Sequence, residues 1–326
     1  MATLKDIAAA CGTSIATVSY VLSGRGDERR ISLGMQERVT RTAEELGYDL
    51  SARTRKSRRP TVGVYWPQRK LNSMLPSFIR GMNTALGMAP ITADVVIRPF
   101  EPGHLSEQNA LWTPGRIGAS VIVSASADDV ETLKNRKTIY PAVLVNRTIP
   151  GYPSVSVNEN EASKLALEYV KECAGDDMIL VQPDSWLLGA EYRGRFVQET
   201  CSRHAIRLRT SYTCDIEIDD GYALGQKLLL EGKLPRAILC VYDTVAIGIE
   251  QALRDARLRP GTDVELVTMS TSYNSSNTRL YQNLTVVDLR QVEVSICAIN
   301  MAIELATHAA NDVRQMMVHP TLIPHR

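Results

Sequence analysis

The sequence predicts an α/β protein: a small all-helical unit at the front, followed by two doubly wound lobes. Three observations carry this reading. The first sixty residues hold short amphipathic helical stretches and no strand-like run. After Pro60, short apolar runs alternate with helical stretches, which is the pattern of βαβ units. A chain of 326 residues with an apolar fraction of 44% has material for two or three such units.

The front unit reads as three helices. Thr3 and Asp6 have capping-box spacing and start a helix that turns Leu4, Ile7 and Ala8 inward. Gly12 permits a sharp turn after Cys11, because glycine takes positive φ without steric cost. Ser14 is a good N-cap for a second helix, whose Val18, Val21 and Leu22 form one apolar stripe. A third stretch, "GMQERVTRTAEELGY", offers Met35, Val39 and Leu46 to close a miniature core. With the stripe inward, Ile15, Ala16, Thr17, Ser19 and Tyr20 are expected outward. A helix face of small and hydroxylic residues fits a DNA major groove roughly 12 Å wide. Thr17 and Ser19 suit phosphates, and Ile15, Ala16 and Tyr20 suit base edges or thymine methyls. Thr3, Ser14 and Arg30 complete the candidate DNA contacts of this unit.

Charge points the same way. The net charge of +1 conceals eleven Lys/Arg against seven acids in residues 1–60, leaving 26 basic and 29 acidic residues elsewhere. The excess peaks in "RTRKSRR", where five of the seven residues from Arg53 to Arg59 are cationic. Behind two small helices, such a run reads as an electrostatic footprint for nucleic acid.

Beyond Pro60, the expected strands are "TVGVYWP", "ADVVIRPF", "ASVIVSAS", "AVLVN", "MILVQ", "AILCVYD", "VELVTMS" and "LTVVDL". Their continuous apolar character suits buried parallel strands. The helices between include "LPSFIRGMNTALG", "NEASKLALEYVKEC", "GYALGQKLLLEG" and "DTVAIGIEQALRDA". Ligands of such folds enter where the strand C-termini face a crevice.

Other classes find little support. No Gly-x-Gly-x-x-Gly fingerprint or phosphate-binding glycine-lysine loop occurs, and none of the five histidines sits in a nucleophile or metal motif, so no enzyme activity and no cofactor are expected. Asp219 and Asp220 are expected to cap the following helix. Six scattered cysteines read as buried small hydrophobes in a reducing compartment. Lys5 and Asp6 interrupt the first apolar stretch, and no run approaches the roughly 18 residues of a spanning helix. A cytoplasmic protein without a membrane partner is therefore expected.

"TLKDIAAACGTSIATVSYVLSG" resembles the helix-turn-helix signature of the LacI/GalR family of bacterial transcription regulators, and "ERVTRTAEELGY" resembles the helix that follows it. "GVYWP", "RGM", "PSVSVNENEAS", "AILCVYDTVAIGIEQALRDARLRPGTDVELVTMS", "LTVVDL" and "HPTLIPHR" are similar, in order, to segments of that family's sensor. The resemblance implies a helix-turn-helix DNA-binding domain over 1–50, a basic hinge over 51–60, and a bilobed periplasmic-binding-protein-like sensor over 61–326. The sensor would also dimerise, with crossovers near 155 and 285. It implies base-reading roles for Ile15, Ala16 and Tyr20, although many members carry arginine at the place of Tyr20. The hinge departs from the pattern. "DLSARTRKSRRP" is shorter, and Arg55 stands where a leucine normally wedges into the minor groove. Arg53, Arg55 and Lys56 are accordingly expected on phosphates and in the minor groove.

For the effector, the resemblance implies a site drawn from Met74, Leu75, Asn146, Arg193, Tyr242, Asp243 and Ser270; a one-residue slip in the count would put Tyr192 in place of Arg193. Asn146 and Ser270 stand where sugar-binding members often have aspartate, Tyr242 replaces an asparagine, and Met74 and Leu75 replace aromatics. Trp66, Trp112, Trp186 and Tyr242 can each stack on a ring or serve packing. The implied function is a sequence-specific DNA-binding regulator, a repressor by the commoner outcome. It would bind a palindromic double-stranded operator as a homodimer and answer to a small-molecule effector, a carbohydrate being one candidate. A solute-binding protein of the same sensor fold and a regulator with a degenerate pocket remain as alternatives.

Overall fold

The computed structural model describes residues 2–48, 59–68, 74–175, 177–183, 188–204, 206–232, 234–274, 276–307 and 313–325. Arg53, Arg55 and Lys56, with most of the basic run, lie outside the described residues, as does Trp186. The chain divides into two compact units. One comprises Met1–Arg69, Asn83–Val155 and Ile296–Gln315, and the other Lys70–Met82, Ser156–Ser295 and Met316–Arg326.

The first unit begins with helices α1 (Leu4–Cys11), α2 (Ile15–Leu22) and α3 (Leu33–Glu45). Thr3 and Asp6 form the capping box, and Gly12 ends α1 at φ 60°, a left-handed conformation. Ser14 caps α2 by accepting from the Thr17 N–H at 3.0 Å. Ile7, Ala8, Cys11, Val18, Val21, Leu22, Val39 and Ala43 are buried together, with Leu4, Ile31, Met35 and Tyr48 partly buried against them. Leu46 is not part of this core. It follows the last turn of α3 and is 43% exposed, and Ala43, one turn earlier, takes the inward place. Ile139 of the following lobe also packs on the cluster, and Arg116 meets Glu28 at 3.1 Å. The helical unit is thus seated on the first lobe rather than tethered by the basic run alone.

Two six-stranded sheets follow. The first contains β1 (Thr61–Pro67), β2 (Asp94–Phe100), β3 (Ile117–Val123), β4 (Ala142–Val145), β5 (Ser154–Val157) and β11 (Gln315–Val318), in the order β11-β5-β4-β3-β1-β2. The second contains β6 (Asp177–Gln182), β7 (Arg207–Thr213), β8 (Ala237–Cys240), β9 (Glu265–Ser270), β10 (Thr285–Asp288) and β12 (Thr321–Ile323), in the order β12-β10-β9-β8-β6-β7. β1 pairs in parallel with both β2 and β3, and β6 with both β7 and β8. Each sheet therefore reverses its winding beside its first strand, which places a crevice at the strand C-termini there. β12 joins its sheet antiparallel.

Three local expectations need correction. β2 is not a buried strand: it is a sheet edge, and Val96 is 41% exposed. Cys11, Cys201 and Cys240 are buried, but Cys214 and Cys297 are only partly so and Cys173 is exposed. Asp219 and Asp220 lie in the first turn of the helix Ile218–Leu230, behind a cap position held by Glu217.

In the second unit, the helices Ile218–Leu230 and Asp243–Asp255 approach each other backbone to backbone at Gly248. A Cβ there would lie 2.0 Å from the Ile218 carbonyl oxygen and 2.5 Å from the Tyr222 nitrogen. Neither backbone atom can rotate away. Gly248→Ala is expected to destabilise the protein by about 2 kcal/mol through overpacking, read as a lowered urea midpoint; an unchanged midpoint would show that the two helices separate freely.

Candidate functional site

Two groups of residues bear on function. The first is the outer face of α2. With Val18, Val21 and Leu22 fixed inward, Ile15 is 49% exposed and Ala16 is exposed beside it, while Thr17, Ser19 and Tyr20 are half-exposed. The Ser14 and Thr17 hydroxyls lie 2.9 Å apart, so the N-cap also orients the first hydroxyls of the face. Thr3 is exposed, and its hydroxyl donates to Asp6 at 2.7 Å. That bond, reinforced by a second from the Thr3 backbone, holds the Asp6 carboxyl below its ordinary range.

Tyr20 departs from a simple reading residue. Its ring lies 4.6 Å from the Arg29 guanidinium carbon and 5.4 Å from that of Arg25. Arg29 and Arg25 had no signal in the sequence beyond their charge, because the loop 23–32 carries them back onto α2. Arg30 is exposed and adopts φ 53°, closing the single 3-10 turn Asp27–Arg29.

The second group lies at the strand ends of the second sheet, beside its winding reversal. Tyr242 and Asp243 follow β8, and Ser270 ends β9. Arg193, from the helix Leu188–His204, joins them and is only 4% exposed. Its Nε donates to both carboxylate oxygens of Glu159, at 3.0 and 3.1 Å, and its Nη1 donates to the Val241 carbonyl at 3.4 Å. The guanidinium carbon also lies 5.5 Å from the centre of the Tyr242 ring. Burial alone pulls the Arg193 pKa down, but the facing charges of Glu159, Tyr242 and Asp243 outweigh it and leave it raised. Burial likewise raises the Tyr242 phenol.

Asp243 is buried and, among the described residues, has no cationic hydrogen-bond partner. Its Oδ2 accepts from the Ser270 hydroxyl and from the Tyr281 hydroxyl at 2.8 Å, and its Oδ1 accepts from the Thr244 N–H at 2.9 Å. Ser270 Oγ in turn accepts the N–H groups of Ser272 and Tyr273, at 3.0 and 2.9 Å. Burial, and then the Asp243 charge, push the Tyr281 phenol up. Arg193, Tyr242, Asp243 and Ser270 therefore stand close together, satisfied largely by one another and by Glu159 and Tyr281.

The other expected effector residues are Met74, Leu75 and Asn146. Met74 is buried and Leu75 half-buried at the start of the helix Leu75–Met88, grouped with the second unit. Asn146 belongs to the first unit, has φ 58°, and keeps a buried Oδ1 without a hydrogen-bond partner. Trp66 and Trp112 are packed inside, the latter beneath Arg136 at 4.6 Å. The Tyr192 side chain lies outside what is described. Glu159 and Tyr281 escaped the sequence reading. Glu159 reads as an ordinary first-turn acid beside the cap Asn158, and Tyr281 as one aromatic in a polar stretch. Among the described residues, no group of three His, Cys, Asp or Glu is placed to hold a metal ion, and no helix is long and apolar enough to cross a membrane.

The family model described as bacterial regulatory proteins, lacI family, matches residues 3–50, and the periplasmic binding protein-like domain model matches residues 176–326. The HTH-type transcriptional repressor PurR of Haemophilus influenzae is 22% identical, over 97% of this chain and 94% of that protein. Among solved structures, a LacI family transcription regulator from Clostridium acetobutylicum superposes with a TM-score of 0.75 at 21% identity, over 82% of this chain and 100% of that one. The lac repressor dimer bound to operator and the anti-inducer ONPF gives 0.69 at 17% identity, over 99% and 98%. At these identities the structural likeness is one of fold.

The Arg193–Glu159 pair makes a direct prediction. Removing one partner strands a buried charge, so Arg193→Met and Glu159→Leu are each expected to cost about 3 kcal/mol, and the double variant to recover most of that loss. Urea unfolding of the four proteins measures this. Losses that simply add would show that the two side chains do not form a unit.

Proposed function

We propose that the chain is a sequence-specific transcriptional regulator of the lacI family, a repressor, that binds a palindromic operator as a homodimer. The domain limits follow: 1–50 reads DNA, 51–60 links, and 61–326 dimerises and senses. The observation that carries this reading is the outer face of α2, locked open by the burial of Val18, Val21 and Leu22. Ile15 and Ala16 then address base edges, with Tyr20 beside them on the same face, while Thr3, Ser14, Thr17, Ser19 and Arg30 address phosphates. Arg53, Arg55 and Lys56 add the electrostatic share from the linker. An eight-residue helix offers few base contacts, so operator-level affinity needs two of them, held about 34 Å apart by a dimer.

The effector side of the reading rests on Arg193, Tyr242, Asp243 and Ser270 near the winding reversal of the second sheet, with Met74, Leu75 and Asn146 as further contributors. A ligand acts by binding one arrangement of the dimer better than the other. A small neutral molecule, such as a carbohydrate, is the class favoured, because the Arg193 charge is already paired with Glu159. The same closed network favours a second reading, in which this pocket binds no effector at all. Thermal-shift screening with neutral sugars, nucleosides and small carboxylates separates the two: stabilisation by a sugar supports the first reading, and no response to any compound supports the second.

The DNA reading is tested by selecting a palindromic duplex from a randomised pool with the full-length protein, then measuring its affinity beside a scrambled duplex. With several cationic contacts per protomer, affinity for the selected duplex is expected to fall about a thousandfold between 50 and 200 mM salt. Equal affinity for the two duplexes at every salt concentration would remove the proposal.

A further inference from the structure

The loop 23–32 between α2 and α3 carries five charged side chains, and they are not equivalent. Asp27 accepts from the Gln36 side-chain amide at 2.9 Å, and that amide also donates to the Ile31 carbonyl at 2.8 Å. Glu28 accepts from Arg25 Nε at 3.0 Å and from Arg116 Nη2 at 3.1 Å. Both acids of the loop are therefore engaged, and Arg25 is spent on one of them. Arg29 is exposed and forms no ion pair among the described residues.

What does hold Arg29 is the ring of Tyr20, at 4.6 Å. Its backbone is fixed as well, since its N–H donates to the carbonyls of Gly26 and Arg25, at 3.2 and 3.3 Å. A guanidinium that rests its face on an aromatic ring keeps its N–H donors, which lie in its own plane, for other partners. Tyr20 stands one helical turn beyond Ala16, so the two share a face of α2. The contact brings a guanidinium that forms no ion pair among the described residues to the edge of the outward face of α2.

We propose that Tyr20 works as a stacking platform rather than through its hydroxyl, and that Arg29, seated on its ring, reads a guanine edge in each operator half-site. This rests on the reading of the chain as an operator-binding regulator. A planar fork held in one orientation matches guanine O6 and N7 as a bidentate pair, the commonest specific contact of arginine in the major groove. Arg30, beside it and without a ring to rest on, suits a phosphate, which asks for charge more than orientation.

The test uses the full-length protein and the palindromic duplex that the wild type selects from a randomised pool. Its companions are a scrambled duplex and a series with each G·C pair replaced by A·T. Arg29→Ala is expected to bind the selected duplex about ten- to hundredfold more weakly, to bind the scrambled duplex almost unchanged, and to become indifferent to one symmetry-related G·C pair per half-site. Tyr20→Phe keeps the ring and is expected to keep the preference for that G·C pair, whatever affinity it loses with the hydroxyl. Tyr20→Leu removes the platform and is expected to match Arg29→Ala, with the double variant no weaker than either. Melting curves establish that each variant is folded, and because Arg29 is exposed its replacement leaves the core intact.

Equal weakening of Arg29→Ala on both duplexes, with a shallower salt slope, would make Arg29 a phosphate contact and overturn the proposal. Unaltered specificity in Arg29→Ala, or equal damage from Tyr20→Phe and Tyr20→Leu, would overturn it too. A wild type that prefers no duplex over another would instead bring down the regulator reading beneath it.

Discussion

The burial of Val18, Val21 and Leu22 against Ile7, Cys11, Val39 and Ala43 is the constraint from which the DNA-facing surface follows. An eight-residue helix has no stability of its own in water; it exists because one side is packed and its first turn is capped. Packing that side fixes the rotation of α2 about its axis. The residues left over, Ile15, Ala16, Thr17, Ser19 and Tyr20, are then presented without any further device. The core is small, so each member matters, and Gly12 and Ser14 set the angle at which α2 leaves α1.

The loop after α2 adds a second constraint. Its acids are directed to Gln36, Arg25 and Arg116, so the loop is tied to α3 on one side and to the first lobe on the other. Ile139 packs on the helical core from the same lobe. These contacts give the three helices a defined seat on the first lobe. Exposed ion pairs such as Glu28–Arg116 contribute little stability in themselves. Their value here is orientation, since Glu28 holds Arg25 while Arg29 rests on the Tyr20 ring without an ion pair among the described residues.

Much of this was legible in the sequence because it is periodic or local. The capping box at Thr3 and Asp6, the left-handed turn at Gly12, the cap at Ser14 and the stripe on α2 are all short-range signals. The apolar runs gave β1, β3, β4, β6, β8, β9 and β10 for the same reason. β7 was not seen: "RLRTSYT" is an edge strand whose side chains are mostly exposed, so it carries no apolar run. β2 was seen, but its environment was misjudged, since nothing in "ADVVIRPF" says that a sheet ends there. In the effector region, Arg193, Tyr242, Asp243 and Ser270 were reached through family likeness, whereas Glu159 and Tyr281 were not. Their importance lies in contacts spanning 34 and 38 residues, which no local pattern encodes.

Those two residues change the chemistry of the second lobe. Asp243 is held by three hydrogen-bond donors at the start of a helix, and Arg193 forms no hydrogen bond to it among the described residues. Arg193 has its own counter-ion in Glu159 and an aromatic face in Tyr242. On the proposed reading, a carboxylate or phosphate ligand approaching Arg193 would compete with Glu159 for its charge and meet the like charge of that acid. A neutral polyol competes only with hydroxyl groups and an aromatic face, whose exchange is nearly balanced because every bond broken is replaced by one of like strength. If the lobe takes an effector as proposed, it would discriminate by charge before it discriminates by shape. That selectivity would be set within the protein, by a glutamate from one helix that pairs with an arginine on another.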